Sequence, residues 1–125
     1  MILLDTSVLI DALTGTQRSA RLVRRAMELD EELTLSSLVL YEWRRGARTG
    51  AELDMQEALW PSRDVIVFGP DDAATAAQLY RAVARPRGRE IDLAIAACAI
   101  QRNAMLWTLN LKDVRDVPGL ALYQP

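Results

Sequence analysis

Four acids stand where chemistry could use them: Asp5, Glu42, Asp92 and Asp113. Asp5 closes the apolar run Met1-Ile2-Leu3-Leu4. Glu42 falls about one turn into the helix expected after a second strand. Asp92 opens the most apolar helix of the chain, and Asp113 follows the fourth expected strand by a few residues. Carboxylates gathered together repel unless they are protonated or bridged by cations. All-oxygen ligands suit Mg2+ or Mn2+. Two such ions roughly 3.5–4 Å apart can activate water and stabilise the leaving oxygen in phosphodiester cleavage. The chain has no histidine, which removes imidazole acid–base pairs, histidine zinc sites and Ser/Cys–His triads. Acid–base or metal chemistry here rests mainly on carboxylates. Spacing alone does not make the four converge, and three of them have plain structural roles open to them. Asp5 could be a turn or cap, Glu42 an i,i+3 partner of Arg45, and Asp92 an acid at a helix amino end.

The elements that must position these acids are legible in outline. An unbroken apolar run as short as residues 1–4, bounded by polar residues, predicts a strand buried on both faces, as in a parallel sheet. Thr6 or Ser7 can cap the helix that follows, with Val8, Leu9 and Leu13 on its apolar side. Thr14-Gly15-Thr16 is a break. The spacing of Ala20, Leu22, Val23, Ala26, Met27 and Leu29 predicts an amphipathic helix from Gln17 to Leu29. Leu33-Thr34-Leu35 reads as a second strand, and Ser36-Ser37 offers a cap for a helix from Leu38 to about Arg48. A further helix runs from Ala51 to Trp60 and stops at Pro61. Asp64–Phe68 reads as a third strand. Gly69-Pro70-Asp71-Asp72 then starts a helix with proline and acids at its amino end. After the loop Pro86-Arg87-Gly88-Arg89, residues Ile91 to about Asn103 are apolar nearly all round, which predicts the most buried helix. Ala104–Trp107 is the fourth expected strand and Leu120–Tyr123 the last. Strands alternating with helices imply βαβ units, a parallel sheet and, through right-handed crossovers, helices on both faces. In such sheets ligands bind at the carboxyl ends of the strands, where Asp5 falls.

Composition bounds the rest. A chain of 125 residues, half of them apolar, makes one domain that buries about two-thirds of its unfolded surface. Its apolar runs are too short to span a bilayer, and its start lacks a charged-then-apolar leader, so a cytoplasmic protein is expected. The single cysteine, Cys98, excludes an internal disulfide and a cysteine-cluster zinc site, and its Ala/Ile-rich surroundings suggest a small buried hydrophobe. Net charge is −2, yet fourteen of the fifteen basic residues are arginine. They cluster at Arg18/Arg21/Arg24/Arg25, at Arg44/Arg45/Arg48 and at Arg81/Arg85/Arg87/Arg89. Arginine offers bidentate contacts to phosphate, and Arg85, Arg87 and Arg89 are the candidates for such a contact. The plainer alternative is a set of solvated helix faces.

Four stretches together carry a family resemblance. They are Leu4-Asp5-Thr6-Ser7-Val8-Leu9-Ile10-Asp11, Ser37 to Gly46 with Glu42 and a following Arg-Arg-Gly, Gly88-Arg89 leading to Asp92-Leu-Ala-Ile-Ala-Ala97, and Thr108-Leu-Asn110-Leu-Lys-Asp113 followed by Val117-Pro-Gly-Leu120. Each is weak alone, but four in this order are specific. The chain resembles the PIN-domain ribonucleases, and within them the VapC toxins of bacterial toxin–antitoxin pairs, over essentially its whole length, residues 1–125. The resemblance implies a three-layer α/β fold with a central five-stranded parallel sheet. It implies Asp5, Glu42, Asp92 and Asp113 as ligands of one or two Mg2+ or Mn2+ ions, supported by Thr6, Thr108 and Asn110. It also implies RNA as substrate, a homodimer, and a small antitoxin that blocks the acidic site, where an acidic cluster invites a basic side chain. Val114 departs from the family, which usually has an aromatic residue after the aspartate. Asn110 matches the toxins, whereas other branches carry an acid there.

Two rival readings fit less well. A receiver-type domain needs its phosphate-accepting aspartate directly after the third strand, where this chain has Gly69-Pro70; a haloacid-type hydrolase needs a second aspartate where Ser7 stands. A non-enzymatic arginine-rich interaction module would have no use for four acids at strand ends.

Overall fold

The computed structural model describes residues 1–15 and 18–125. Thr16 of the expected break and Gln17, the expected start of the second helix, lie outside the described residues. The elements in chain order are β1 (Ile2–Leu4), α1 (Thr6–Leu13), α2 (Arg18–Glu28), β2 (Leu33–Thr34), α3 (Ser37–Arg45), α4 (Gly50–Leu59), a 3₁₀ turn (Ser62–Asp64), α5 (Pro70–Ala82), α6 (Glu90–Gln101), β3 (Met105–Trp107), a second 3₁₀ turn (Leu111–Asp113) and β4 (Ala121–Leu122).

The sheet is parallel throughout, in the order β2-β1-β3-β4. From β1 the chain steps outward to β2. It then returns past β1 to β3 and continues in that second direction to β4. The helices pack in two groups, α1 with α2, α3 and α4, and α5 with α6, and α3 also touches α6. The reversal splays the chain apart beyond the carboxyl ends of β1 and β3, making the crevice where ligands bind in open α/β sheets. β1 is central and wholly buried, as an apolar run flanked on both faces must be.

Among the described residues the sheet has four strands where five were expected. Asp64–Phe68 does not form a strand: its start is the 3₁₀ turn, and the rest holds one parallel bridge, Ser36 to Ile66. Ile66 donates its N–H to Leu35 and accepts from the N–H of Ser37, while the Phe68 N–H is taken by the Ser37 hydroxyl. The reason lies in the partner. β2 turns into α3 at Ser37, so no ladder is left for a longer edge strand to pair with.

Local signals elsewhere were kept. Ser36 caps α3 by accepting from the Val39 N–H at 3.3 Å. Thr49 and Glu52 form a reciprocal capping box on α4. Pro70 opens α5, and Asp72 accepts from the Gly69 N–H. α6 is the most buried helix, with Leu93 to Ala99 all in the core. Cys98 lies among them, its thiol pushed up to about 11, chiefly by burial, as suits an inert apolar side chain. Across the undescribed residues, Asp11 ties α1 to α2 by accepting from the Ser19 N–H and hydroxyl.

Candidate active site

Asp5 leaves β1 with its N–H bonded to the Trp107 carbonyl of β3, so the carboxyl ends of the two strands are fastened together. Asp5 occupies the cap position of α1, but its side chain does not cap the helix. Its Oδ2 accepts from the hydroxyls of Ser7 (2.8 Å) and Thr108 (2.7 Å). Neither Thr6 nor Ser7 is the cap that the sequence suggested. The two residues point their hydroxyls at two different acids instead, because consecutive positions at a helix start leave about 100° apart. The Thr6 hydroxyl donates to Glu42 Oε1 at 2.6 Å, which binds α3 to the site. The other oxygen of Glu42 meets Arg45 at 3.3 Å, so the i,i+3 pair also exists, on the wet side of the same carboxylate.

The sequence offered Ser7 only as a possible helix cap, not as part of the site. Ser7 bonds Asp5, lies 3.3 Å from the Thr108 hydroxyl and accepts from the Leu109 N–H. It thereby joins the start of α1 to the loop after β3. The signal was its place beside Thr6 in Asp5-Thr6-Ser7, which the capping reading absorbed. Thr108 in turn accepts from the Asn110 N–H and so shapes the turn that carries Asn110 and Asp113.

Asp5, Asp92, Thr108, Asn110 and Asp113 line one recess, floored by Ile95, Leu106 and Val114. Val114, the departure from the family pattern, is buried there and anchors the turn. The recess has about 10 Å³ of free volume, room for one water-sized occupant. Asp92 holds its proton up to about pH 6, first because burial penalises its charge, then because Asp5, Glu42 and Asp113 repel it; Arg89 offsets part of this. All four acids thus act on one point electrostatically, although Glu42 stands beside the recess and does not line it. A small, oxygen-walled cavity with excess negative charge fits a hard divalent cation. Among the described residues, however, no three acids stand close enough to enclose an ion as they are. The chemistry of the donor set nonetheless fits such an ion.

The arginines divide. Arg85 and Arg87 are exposed, whereas Arg89 is turned inward onto Asp116. Arg48 stacks on the Trp43 ring, 4.4 Å from its centroid, and is an internal contact. A much larger groove, 540 Å³, lies between α1, α2 and α4 and is lined by Leu13, Val23, Met27, Met55 and Leu59 among others; it contains none of the four acids.

Comparison with known proteins identifies the family. Residues 2–119 match the PIN domain, and the chain belongs to that family. It is 32% identical over 122 residues to a Mycobacterium tuberculosis protein, Ribonuclease VapC19, covering 96% of this chain and 97% of that one. The DNA-bound VapBC structure from Salmonella typhimurium is 25% identical, with a TM-score of 0.80 over 98% of this chain and 96% of that one. The VapBC2 structure from Rickettsia felis, bound to a promoter DNA fragment, has the same fold at 24% identity, with a TM-score of 0.78 over 98% of each chain.

Proposed function

We propose that this chain is a divalent-metal-dependent endoribonuclease and the toxin of a toxin–antitoxin pair. The observation that carries the reading is the water-sized recess at the β1/β3 switch point, walled by carboxylates, in which burial and then the neighbouring acids raise the Asp92 carboxyl to about 6. The match to a ribonuclease over nearly the whole of both chains supports RNA as the substrate. Asp5, Asp92 and Asp113 are the proposed ligands of one Mg2+ or Mn2+ ion, with Glu42 completing the charge and available to a second. When bound, the ion neutralises the acids and makes an attacking water more acidic. The chain's own part is positional. Ser7 and Thr108 fix Asp5, Thr6 fixes Glu42, and Asn110 stands at the mouth with a side-chain amide for an RNA phosphate or sugar. Arg85 and Arg87 are exposed beside the loop into α6, free to meet the RNA backbone. Among the described residues no helix is long and apolar enough to cross a membrane, and a cytoplasmic location suits an RNA-cutting toxin. The family resemblance extends the reading to a homodimer.

Cleavage of an RNA oligonucleotide is expected to stop in EDTA and return with Mn2+, with Asp5→Asn prepared identically and inactive. Undiminished cleavage in EDTA by wild type, with the variant silent, overturns the metal mechanism.

The second expectation concerns the partner. An antitoxin that silences this site is expected to bring an Arg or Lys to Asp5, Glu42 and Asp92, where a charge-assisted bond to a crowded carboxylate is strong. A structure of the complex with no basic side chain at these acids refutes it.

A further inference from the structure

The sequence put Arg89 among the residues that touch RNA, and its surroundings argue otherwise. Its side chain is 18% exposed. Nη2 donates to the backbone carbonyl of Asp113 at 2.8 Å and to Asp116 Oδ1 at 2.5 Å; Nη1 donates to Asp116 Oδ2 at 3.0 Å and more weakly to the Arg85 carbonyl. Among the described residues, Nε is buried without a partner. A fork with both arms occupied and its third face enclosed has little left for a phosphate. The backbone of Arg89 meanwhile belongs to α6: it is the cap residue, and its carbonyl receives the first helical bond, from Leu93. Asp92 follows three residues later. One side chain therefore runs from the element that carries Asp92 to the turn that carries Asp113.

That turn needs holding. Leu111–Asp113 is a single 3₁₀ turn, its three residues are exposed, and below it Val114 and Val117 supply the buried anchors. These valines seat the turn on the core, and Arg89 adds a polar link from the turn to the start of α6. We propose that Arg89 is a positioning residue: clamped by Asp116, it grips the Asp113 carbonyl and sets the gap between Asp92 and Asp113 across the recess. The inference rests on the nuclease reading, since the gap matters only if both acids serve one ion. Its charge is also felt in the site: Arg89, raised chiefly by its bond to Asp116 and further by Asp92 and Asp113, draws Asp92 down. Lysine has one point charge and cannot reproduce the planar fork.

The test uses the full chain and three variants, Arg89→Gln, Arg89→Lys and Asp116→Asn, each with thermal melts in EDTA, Mn2+ titration without RNA, and cleavage kinetics across a salt series. Outer contacts that orient ligands typically weaken metal binding 10–100-fold when lost. All three variants are expected to remain folded and to bind Mn2+ about tenfold or more weakly, with KM for RNA and its salt dependence unchanged. Asp116→Asn is the discriminating case, because it touches neither recess nor RNA and acts only through Arg89. Unchanged Mn2+ affinity in Asp116→Asn overturns the proposal. So does a raised KM with a shallower salt dependence in Arg89→Gln, which marks a phosphate contact. Full rescue by Arg89→Lys reduces the role to charge and also overturns it, as does failure of all three variants to fold. Wild type that neither binds Mn2+ nor cuts RNA defeats the nuclease reading itself, and that result is distinct from variants that match an active wild type.

Discussion

Asp92→Asn is expected to abolish RNA cleavage while leaving the metal-free protein as stable as wild type or more so. The loss of activity should reach ~100-fold or more, the scale on which one preorganised electrostatic contact is removed. The gain in stability follows from what surrounds Asp92. Burial and three neighbouring acids lift its carboxyl from the ordinary 3.8 to about 6. The folded state therefore binds a proton that the unfolded state has released. The resulting stabilisation is fully present below about pH 3.8 and is lost as pH rises through about 6. At pH 7.5 the ionised side chain strains the fold. Replacing it with a neutral amide of similar size relieves about 1–2 kcal/mol, allowing for residual solvent and for the lost attraction to the amino end of α6. Wild type in EDTA should gain stability between pH 7.5 and 5, and the variant should show a flatter profile. Mn2+ should stabilise wild type by mass action and the variant much less. If Asp92 were an ordinary helix-start acid, its loss would cost stability and Mn2+ would change nothing. Melts at two pH values, with EDTA and with Mn2+, decide between these outcomes.

Arg102→Met is expected to do the opposite, lowering stability by about 2–4 kcal/mol and leaving cleavage intact at temperatures where the variant is folded. Asp72 also stands in the first turn of a helix, but its side chain is 4% exposed and doubly held. Arg102 meets it through both arms, at 2.7 and 3.1 Å, and also donates to the Cys98 carbonyl; the Gly69 N–H supplies a further bond to Asp72. This pair pins the start of α5 to the end of α6. The bond from Arg102 is the main reason the Asp72 carboxyl lies below its usual range, and the Gly69 N–H adds to it against the opposing effect of burial. Stability from this lowered group is present above about pH 3.8 and is lost as pH falls through the folded-state value below it. Removing only the arginine strands a buried carboxylate, which costs more than the pair contributes. Partial exposure of Arg102 keeps the effect toward the lower end of the range. The pair lies near the far end of α6, some 10 residues or ~15 Å from Asp92, so the site is left alone. Urea denaturation gives the stability change, and equal stability of variant and wild type refutes the argument.

These two aspartates show what can be read along the chain and what cannot. Both were visible as acids near helix amino ends, with the same local grammar. Only the fold gives one an arginine 30 residues away and the other three acids from distant elements. The periodic signals were legible because they are local. The apolar start, the all-round apolar α6 and the caps at Ser36 and Thr49 each follow from residues within a turn or two. The strand ends that carry Asp5 and Thr108 were legible for the same reason. Asp64–Phe68 was misread as a full strand because its composition suits one, whereas a strand also needs a partner, and β2 ends too soon to be that partner. Ser7 was passed over because a hydroxyl at a helix start has two uses, and only the approach of Thr108 from 101 positions away decides between them. Arg89 was assigned to RNA because clustered arginines suit phosphate, yet its partner Asp116 lies 27 positions on. By itself the sequence determined the order of elements, the parallel α/β class and which acids fall at strand and helix ends. The tertiary structure decided which hydroxyl holds which acid, which arginine is free, and how far apart the acids stand. Those are distances between segments brought together by the sheet, and no spacing along the chain encodes them.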